Sequence, residues 1–173
     1  MAEQDRTREF TDFVAACSPA LLRSAWLLTG DAGRAEDLLQ TALTKAWRHW
    51  TTVVHADSPE AYVRRMVFTT YVSWWRRRWR TEVPRASTPE GVDHTDPAGV
   101  VAARDSVRRA LGWLSRQQRA IVVLRYAEDR SVADTAALLG CSVGTVKVQS
   151  ARALSTLRLD PDLVAHSEEG VRR

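Results

Sequence analysis

Two stretches of the chain combine residue types suited to a polyanion. Residues 64–80, RRMVFTTYVSWWRRRWR, carry six arginines (Arg64, Arg65, Arg76, Arg77, Arg78 and Arg80) with Trp74, Trp75 and Trp79 interleaved. Guanidinium groups contact phosphates and give a salt-dependent attraction. Indole faces stack on unpaired bases at about 1–3 kcal/mol per base. Together they suit the holding of single-stranded or melting DNA. A plainer reading stays open beside this one. Trp74 falls on an apolar stripe with Tyr71 and Met66, as a core residue would, and an arginine run also suits the negative end of a helix dipole. Arg65, Thr69, Ser73 and Arg76 form a separate polar stripe on the same helix, the expected DNA-facing surface.

The second stretch is residues 131–157, SVADTAALLGCSVGTVKVQSARALSTL. Ser131 suits an N-cap for a short helix ending at Leu139, and Gly140 suits the left-handed residue that stops it. Ser142 suits the cap of a second helix running to about Leu157. Small Ala136, turn-forming Gly140 and apolar Val146 stand where a helix-turn-helix needs them. A plain helical hairpin is the alternative. The outer face of the second helix favours DNA: Gln149 suits a bidentate pair with adenine, Lys147 a guanine edge or phosphate, and Thr145 and Arg152 backbone phosphates.

Helices must carry both surfaces. Leu38, Leu39, Ala42, Leu43, Ala46 and Trp47 recur every three to four residues, as do Tyr62, Val63, Met66, Val67, Thr70, Tyr71 and Trp74. Pro59 after Ser58 fits a helix first turn. Val107, Leu111 and Leu114 mark one later helix, and Ala120, Ile121 and Leu124 another. No stretch alternates with a strand period, so the expected fold is all-α. Residues 10–80 hold six of the seven tryptophans; residues 81–99 hold three of the six prolines and no apolar period. The expected organisation is two small helical domains, 8–80 and 100–159, joined by a flexible linker over 81–99. The tail 160–173 is expected to fray.

Bulk properties add bounds. A net charge of +4 and a pI near 9.6 suit a polyanionic partner but do not require one. Cys17 and Cys141 form no CxxC pair and read as reduced, small apolar residues. The longest plainly aliphatic run, Ala120 to Leu124, is far short of a membrane span, and residues 1–9 do not resemble a signal peptide. A cytoplasmic location without membrane attachment is expected. His49, His55, His94 and His166 are scattered, and no HExxH, GxSxG or phosphate-loop string occurs. No enzyme activity, cofactor or metal is therefore expected.

With these residues in view, the chain resembles the extracytoplasmic-function (ECF) sigma factors of the sigma-70 family, within the actinobacterial SigE-like group. The resemblance covers about residues 8–158. AEDLLQTALTKAW at 35–47 is similar to the family segment that grips the clamp helices of the polymerase β′ subunit. It implies core polymerase contacts by Asp37, Leu38, Gln40, Thr41, Thr44 and Trp47. SPEAYVRRMVFTTYVSWWRRRWR at 58–80 resembles the segment that opens and reads the −10 element, and Val54 to Ser58 resembles the loop that captures a flipped base. These imply −10 contacts from His55, Asp57, Arg64, Arg65, Thr69, Ser73, Trp75, Arg76 and Arg77. Residues 114–154 resemble the −35-reading domain, which implies contacts from Ser142, Val143, Thr145, Lys147, Val148, Gln149 and Arg152. Core RNA polymerase (β′ clamp helices and β flap), promoter DNA and an anti-sigma factor are the implied partners, and the linker would thread toward the RNA exit path.

Some positions depart from the family pattern. Thr69 stands where an asparagine is usual, and Asp134-Thr135-Ala136 where Glu-Ile-Ala is usual. Val143 replaces an arginine, and Val148-Gln149 replaces a Ser-Arg-like pair. These changes leave promoter sequence open, because fewer arginines shift the readout to other base edges or to DNA shape. A stand-alone helix-turn-helix regulator is the alternative function, but residues 10–80 offer it neither a ligand pocket nor a phospho-acceptor domain.

Overall fold

The leucine stripe of residues 38–47 occupies the second helix of the first unit, preceded by a long helix that periodicity had not marked. The computed structural model describes the backbone of residues 3–79 and 98–159 and the side chains of 3–76 and 105–159. Among these residues every regular element is helical. The order is α1 (Glu3–Thr29), α2 (Ala32–Arg48), α3 (Trp50–Val54), α4 (Pro59–Trp79), α5 (Ala98–Gly112), α6 (Arg116–Val122), a π-helical turn (Val123–Ala127), α7 (Val132–Leu139) and α8 (Val143–Leu157). The elements divide into two compact units, α1–α4 and α5–α8.

In the first unit, α1 packs on α2 and α4, and α2 packs on α4. Leu21, Ala25 and Leu28 of α1 are buried at helical spacing. That spacing was readable, but Pro19 inside the helix masks it: a proline has no N–H to donate to the Ala15 carbonyl. Gly30, at φ 68°, turns the chain, and the Asp31 carboxylate accepts the Arg34 N–H at 2.7 Å to start α2. Leu38, Leu39, Ala42, Leu43 and Ala46 are all buried, as their period requires. Phe10 and Phe13 of α1 close on Trp47 and Trp50, with ring centroids 5.1–5.2 Å apart.

The apolar stripe of α4 is rotated from the expected one. Val63, Val67, Phe68, Thr70, Tyr71 and Val72 are buried, whereas Tyr62 is exposed and Met66 and Trp74 are half-buried. Because α4 packs on α1, α2 and α3, its core face is wider than one stripe and takes in Phe68 and Val72. The hydroxyl of fully buried Thr70 accepts from Lys45 Nζ at 2.9 Å, which satisfies it and ties α2 to α4. The Ser58 hydroxyl accepts the Ala61 N–H, and Pro59 occupies the first turn as expected. Cys17 faces α4; burial pushes its thiol up, Glu60 adds to the rise and Arg64 opposes it. A thiol so shifted stays protonated at neutral pH and is a poor nucleophile.

In the second unit, α5 already includes Ala98 and Gly99, the last residues of the expected linker; 81–97 and 160–173 lie outside the described residues. Leu111 of α5 and Leu114, in the turn beyond Gly112, are buried, but Val107 is exposed. Arg119 donates from Nε and a terminal nitrogen to the Leu111 carbonyl at 3.0 and 2.8 Å, adding to the 3.2 Å bond that this carbonyl accepts from the Leu114 N–H at the end of α5. Ala120 and Ile121 are buried in α6, while Leu124 is carried by the π-helical turn, where Glu128 N–H bonds the Val123 carbonyl at 3.0 Å. The helix-turn-helix forms as its residue types dictate. Ser131 accepts the Asp134 N–H, Gly140 sits at φ 63°, and Ser142 accepts the Thr145 N–H.

The buried α2 stripe gives a stability prediction. Leu38→Ala removes a fully buried side chain and should cost about 2–5 kcal/mol, while exposed Asp37→Ala should stay within about 0.5 kcal/mol. Urea denaturation followed by tryptophan fluorescence checks this; equal losses would show that Leu38 is not a core residue.

Candidate nucleic-acid interface

Three helix faces collect the candidate residues. On α2, Asp37, Gln40 and Thr44 are exposed and Thr41 is half-buried. The Thr41 and Thr44 hydroxyls donate to the Asp37 and Gln40 carbonyls one turn back, both at 2.8 Å, which leaves the carboxylate and amide as the outward polar groups. Leu38 is a correction: at 0% exposure it belongs to the core and cannot touch a partner. The leucine stripe points inward, so a partner on the opposite face meets its polar neighbours. Trp47 is half-buried beneath the Arg6 guanidinium, 4.4 Å from the ring centroid, and Arg6 also donates to the Trp47 carbonyl at 2.7 Å. Arg6 escaped the sequence reading because it lies 41 positions away on α1.

The α3–α4 loop and α4 form the second face. His55 is exposed, and its Nδ1 lies 2.7 Å from the Thr51 carbonyl. A carbonyl only accepts, so Nδ1 carries the proton and, in the neutral ring, Nε2 faces outward as an acceptor. Asp57 is exposed beside it. Arg65, Thr69 and Arg76 are exposed and Ser73 is half-buried, so the expected polar stripe reaches solvent along α4. Thr69 donates to the Met66 carbonyl at 3.2 Å. Arg64 differs from this group: it is paired with Glu60 of the preceding turn and is only partly accessible. Trp74 and Trp75 are half-buried, between core residue and open platform. The side chains of Arg77, Arg78 and Trp79, and all of Arg80, lie outside the described residues.

On α8 the third face is set by what the helix buries. Val146 and Ala153 are fully buried, so Val143, Lys147, Val148 and Arg152 are exposed. The Ser142 and Thr145 hydroxyls lie 2.9 Å apart, and Ser142 also accepts the Thr145 N–H, so both serve first as the helix cap. Gln149, expected to pair with adenine, has a partner inside the protein. It is half-buried, and its Oε1 accepts from Gln118 Nε2 of α6 at 3.1 Å. The polarity of this bond follows from the backbone. The Ser115 N–H can only donate, and it holds Gln118 Oε1 at 3.1 Å. Gln118 must therefore turn its amide nitrogen to Gln149, and Gln149 must answer with its oxygen. The oxygen needed to accept from adenine N6 is thereby engaged within the protein. Nothing in the sequence signalled this pair, since the two glutamines are 31 positions apart.

A capped helix-turn-helix with a basic outer face, and a separate helical unit with an arginine-bearing stripe, define a helical nucleic-acid-binding protein. Comparison with known proteins gives the family. Residues 13–81 match the model for Sigma-70 region 2 and residues 104–157 that for Sigma-70 region 4. The chain is 42% identical over 150 residues to an RNA polymerase sigma-E factor of Streptomyces coelicolor, covering 87% of this chain and 84% of the relative. It is 34% identical over 146 residues to the ECF RNA polymerase sigma factor SigL of Mycobacterium tuberculosis, covering 80% and 81%. Its fold is similar to that of the sigma factor RpoE of Bartonella quintana, solved in complex with the anti-sigma factor NepR. The TM-score is 0.64 at 28% identity, covering 87% of this chain and 95% of that one. The chain belongs to the ECF sigma factors of the sigma-70 family, whose members direct transcription initiation at specific promoters.

Among the described residues no helix is long and apolar enough to cross a membrane, and no group of three or more His, Cys, Asp or Glu side chains is placed to hold a metal ion.

The Gln118–Gln149 bond should appear as coupling. In a double-mutant cycle, Gln118→Ala and Gln149→Ala should be non-additive by about 0.5–1.5 kcal/mol in chemical denaturation. Additive losses would mean the two amides do not support each other.

Proposed function

We propose that the two units divide promoter recognition between them. Residues 8–80 dock on core RNA polymerase and hold the opened −10 strand, residues 100–159 read −35 duplex DNA, and 81–99 set the spacing that the two elements tolerate. The observation that carries this reading is the order of the surfaces: an outward Asp37–Gln40 face and an exposed arginine stripe on separate helices of one unit, then a capped helix-turn-helix in the next. A stand-alone regulator would account for the second unit but leaves the first without a role, and residues 13–81 match Sigma-70 region 2.

On α2, Asp37, Gln40, Thr41 and Thr44 form the polymerase surface, with the edge of Trp47 beside them and Leu38 supporting it from the core. On α4, Arg65, Thr69, Ser73 and Arg76 hold the −10 strand, joined by Arg77, while Trp75 offers a stacking surface and His55 and Asp57 line the loop that takes a flipped base. Arg64 contributes through its pair with Glu60. On α8, Lys147 and Arg152 contact phosphates or base edges, and Ser142, Val143, Thr145 and Val148 lie at the groove. Gln149 fixes the position of α8. The protein acts in the cytoplasm as a non-catalytic subunit, with no cofactor or metal, and the β flap completes its polymerase contacts. The relative solved with NepR supports an anti-sigma factor as a further partner of this chain.

Run-off transcription with core polymerase on a promoter library tests the whole reading; soluble, folded protein that neither co-purifies with core polymerase nor programmes it would sink it. Within that assay, Arg65→Ala and Arg76→Ala should lower open-complex yield, read by permanganate reactivity of unpaired thymines, more than they lower core binding. Undiminished opening would remove these residues from the −10 surface. Asp37→Ala combined with Gln40→Ala should weaken polymerase affinity by about tenfold or more while leaving the helical circular dichroism signal intact; unaltered affinity would move the docking surface elsewhere.

A further inference from the structure

Helix α8 turns about 100° per residue. Val143, Lys147, Ala151, Gly144, Val148 and Arg152 therefore follow one another across an arc of about 180°, and all six are exposed. Gln149 lies outside this arc, engaged with Gln118. Two branched apolar side chains thus stand in water on the outer face: Val143 is 44% and Val148 50% exposed. Between them lie Lys147 and two small residues, Ala151 and Gly144. A Cβ on Gly144 would meet nothing closer than Ser142 Oγ, at 3.7 Å, so packing within the protein does not demand glycine there. The absent side chain leaves room outside the helix, and Ala151 adds little bulk beside it. Lys147 and Arg152 bring positive charge to the same face, complementary to phosphate.

In the major groove the apolar feature of a base-pair edge is the C5-methyl group of thymine; the other features are hydrogen-bond donors and acceptors. Valine offers neither donor nor acceptor, and removing methyl groups from water is favourable at both surfaces. Resting on the reading of the second unit as a −35 duplex reader, we propose that α8 selects its element by packing Val148 and Val143 against thymine methyl groups. Lys147 and Arg152 anchor the helix on the flanking phosphates, and Gly144 and Ala151 allow the groove edge to come close. The side chains that determine specificity on this helix are then apolar, and Gln149 reads no base.

The test uses the whole chain assembled with core polymerase. A duplex pool randomised across the −35 region is selected for binding, and the selected duplex is remade with deoxyuridine in place of each thymine in turn, which removes one methyl group at a time. One or two thymines, on either strand, should lose about fourfold in affinity when the methyl is removed, the value of burying one such group. Val148→Ala or Val143→Ala should abolish that sensitivity at its own position while binding the deoxyuridine duplex as well as the unaltered protein does. Both side chains are exposed, so neither substitution opens the core. Equal affinity for thymine and deoxyuridine at every position would overturn the proposal, as would a methyl effect that persists in both variants. In those cases selection and transcription still succeed, and the −35 reading survives. Failure to select any duplex would overturn both.

Discussion

A helix packed on its neighbours buries one face, narrow or wide, and the position of that face determines which residues the helix presents to its surroundings. On α8, Val146 and Ala153 are fully buried; their seating turns Lys147, Val148 and Arg152 outward and Gln149 toward α6. On α2, burial of Leu38, Leu39, Ala42 and Leu43 puts Asp37 and Gln40 on the opposite side. A buried leucine or valine side chain contributes about 1.5–3 kcal/mol, against about 0–1 kcal/mol for an exposed ion pair. Packing therefore sets the phase of each helix, and charge decorates the face that packing leaves open.

Polar contacts refine that placement where packing is indifferent to it. The Lys45–Thr70 bond links the helix with the outward carboxylate to the helix with the arginine stripe. Arg6 lies over Trp47 and bonds its carbonyl, joining the start of α1 to the end of α2. In the second unit the Ser115–Gln118–Gln149 chain passes a fixed hydrogen-bond polarity from a backbone N–H to the recognition helix. All three join residues far apart in sequence, and each fixes one helix against another.

The departures from the family pattern on α8 take on physical meaning in this setting. Where an arginine is usual, Val143 stands exposed, and Val148 with Gln149 replaces a Ser-Arg-like pair. The structure separates the last two: one faces solvent and the other faces α6. A substitution that reads as a single change along the sequence thus divides into a change on the exposed face of α8 and a change of internal support.

Local rules were enough for much of the fold. Serine caps at 131 and 142, glycine at 140, proline at 59 and the leucine period of α2 act over three or four residues, and the chain obeys them wherever it is described. The all-helical class, the helix-turn-helix and the polar stripe of α4 were legible for that reason, and the family was legible in the order of the motifs. Contacts between distant residues were not legible. Periodicity narrows which residues are apolar on a helix but not how wide a face its neighbours will cover. Tyr62 was therefore expected inside and lies outside, while Phe68 and Val72 went unnoticed and are buried. Leu38 looked available and is enclosed; Gln149 looked free and is held by Gln118. Sequence determined which residues could serve each surface. Only tertiary packing decided which of them still face outward, because burial and long-range hydrogen bonds depend on partners that spacing along the chain does not reveal.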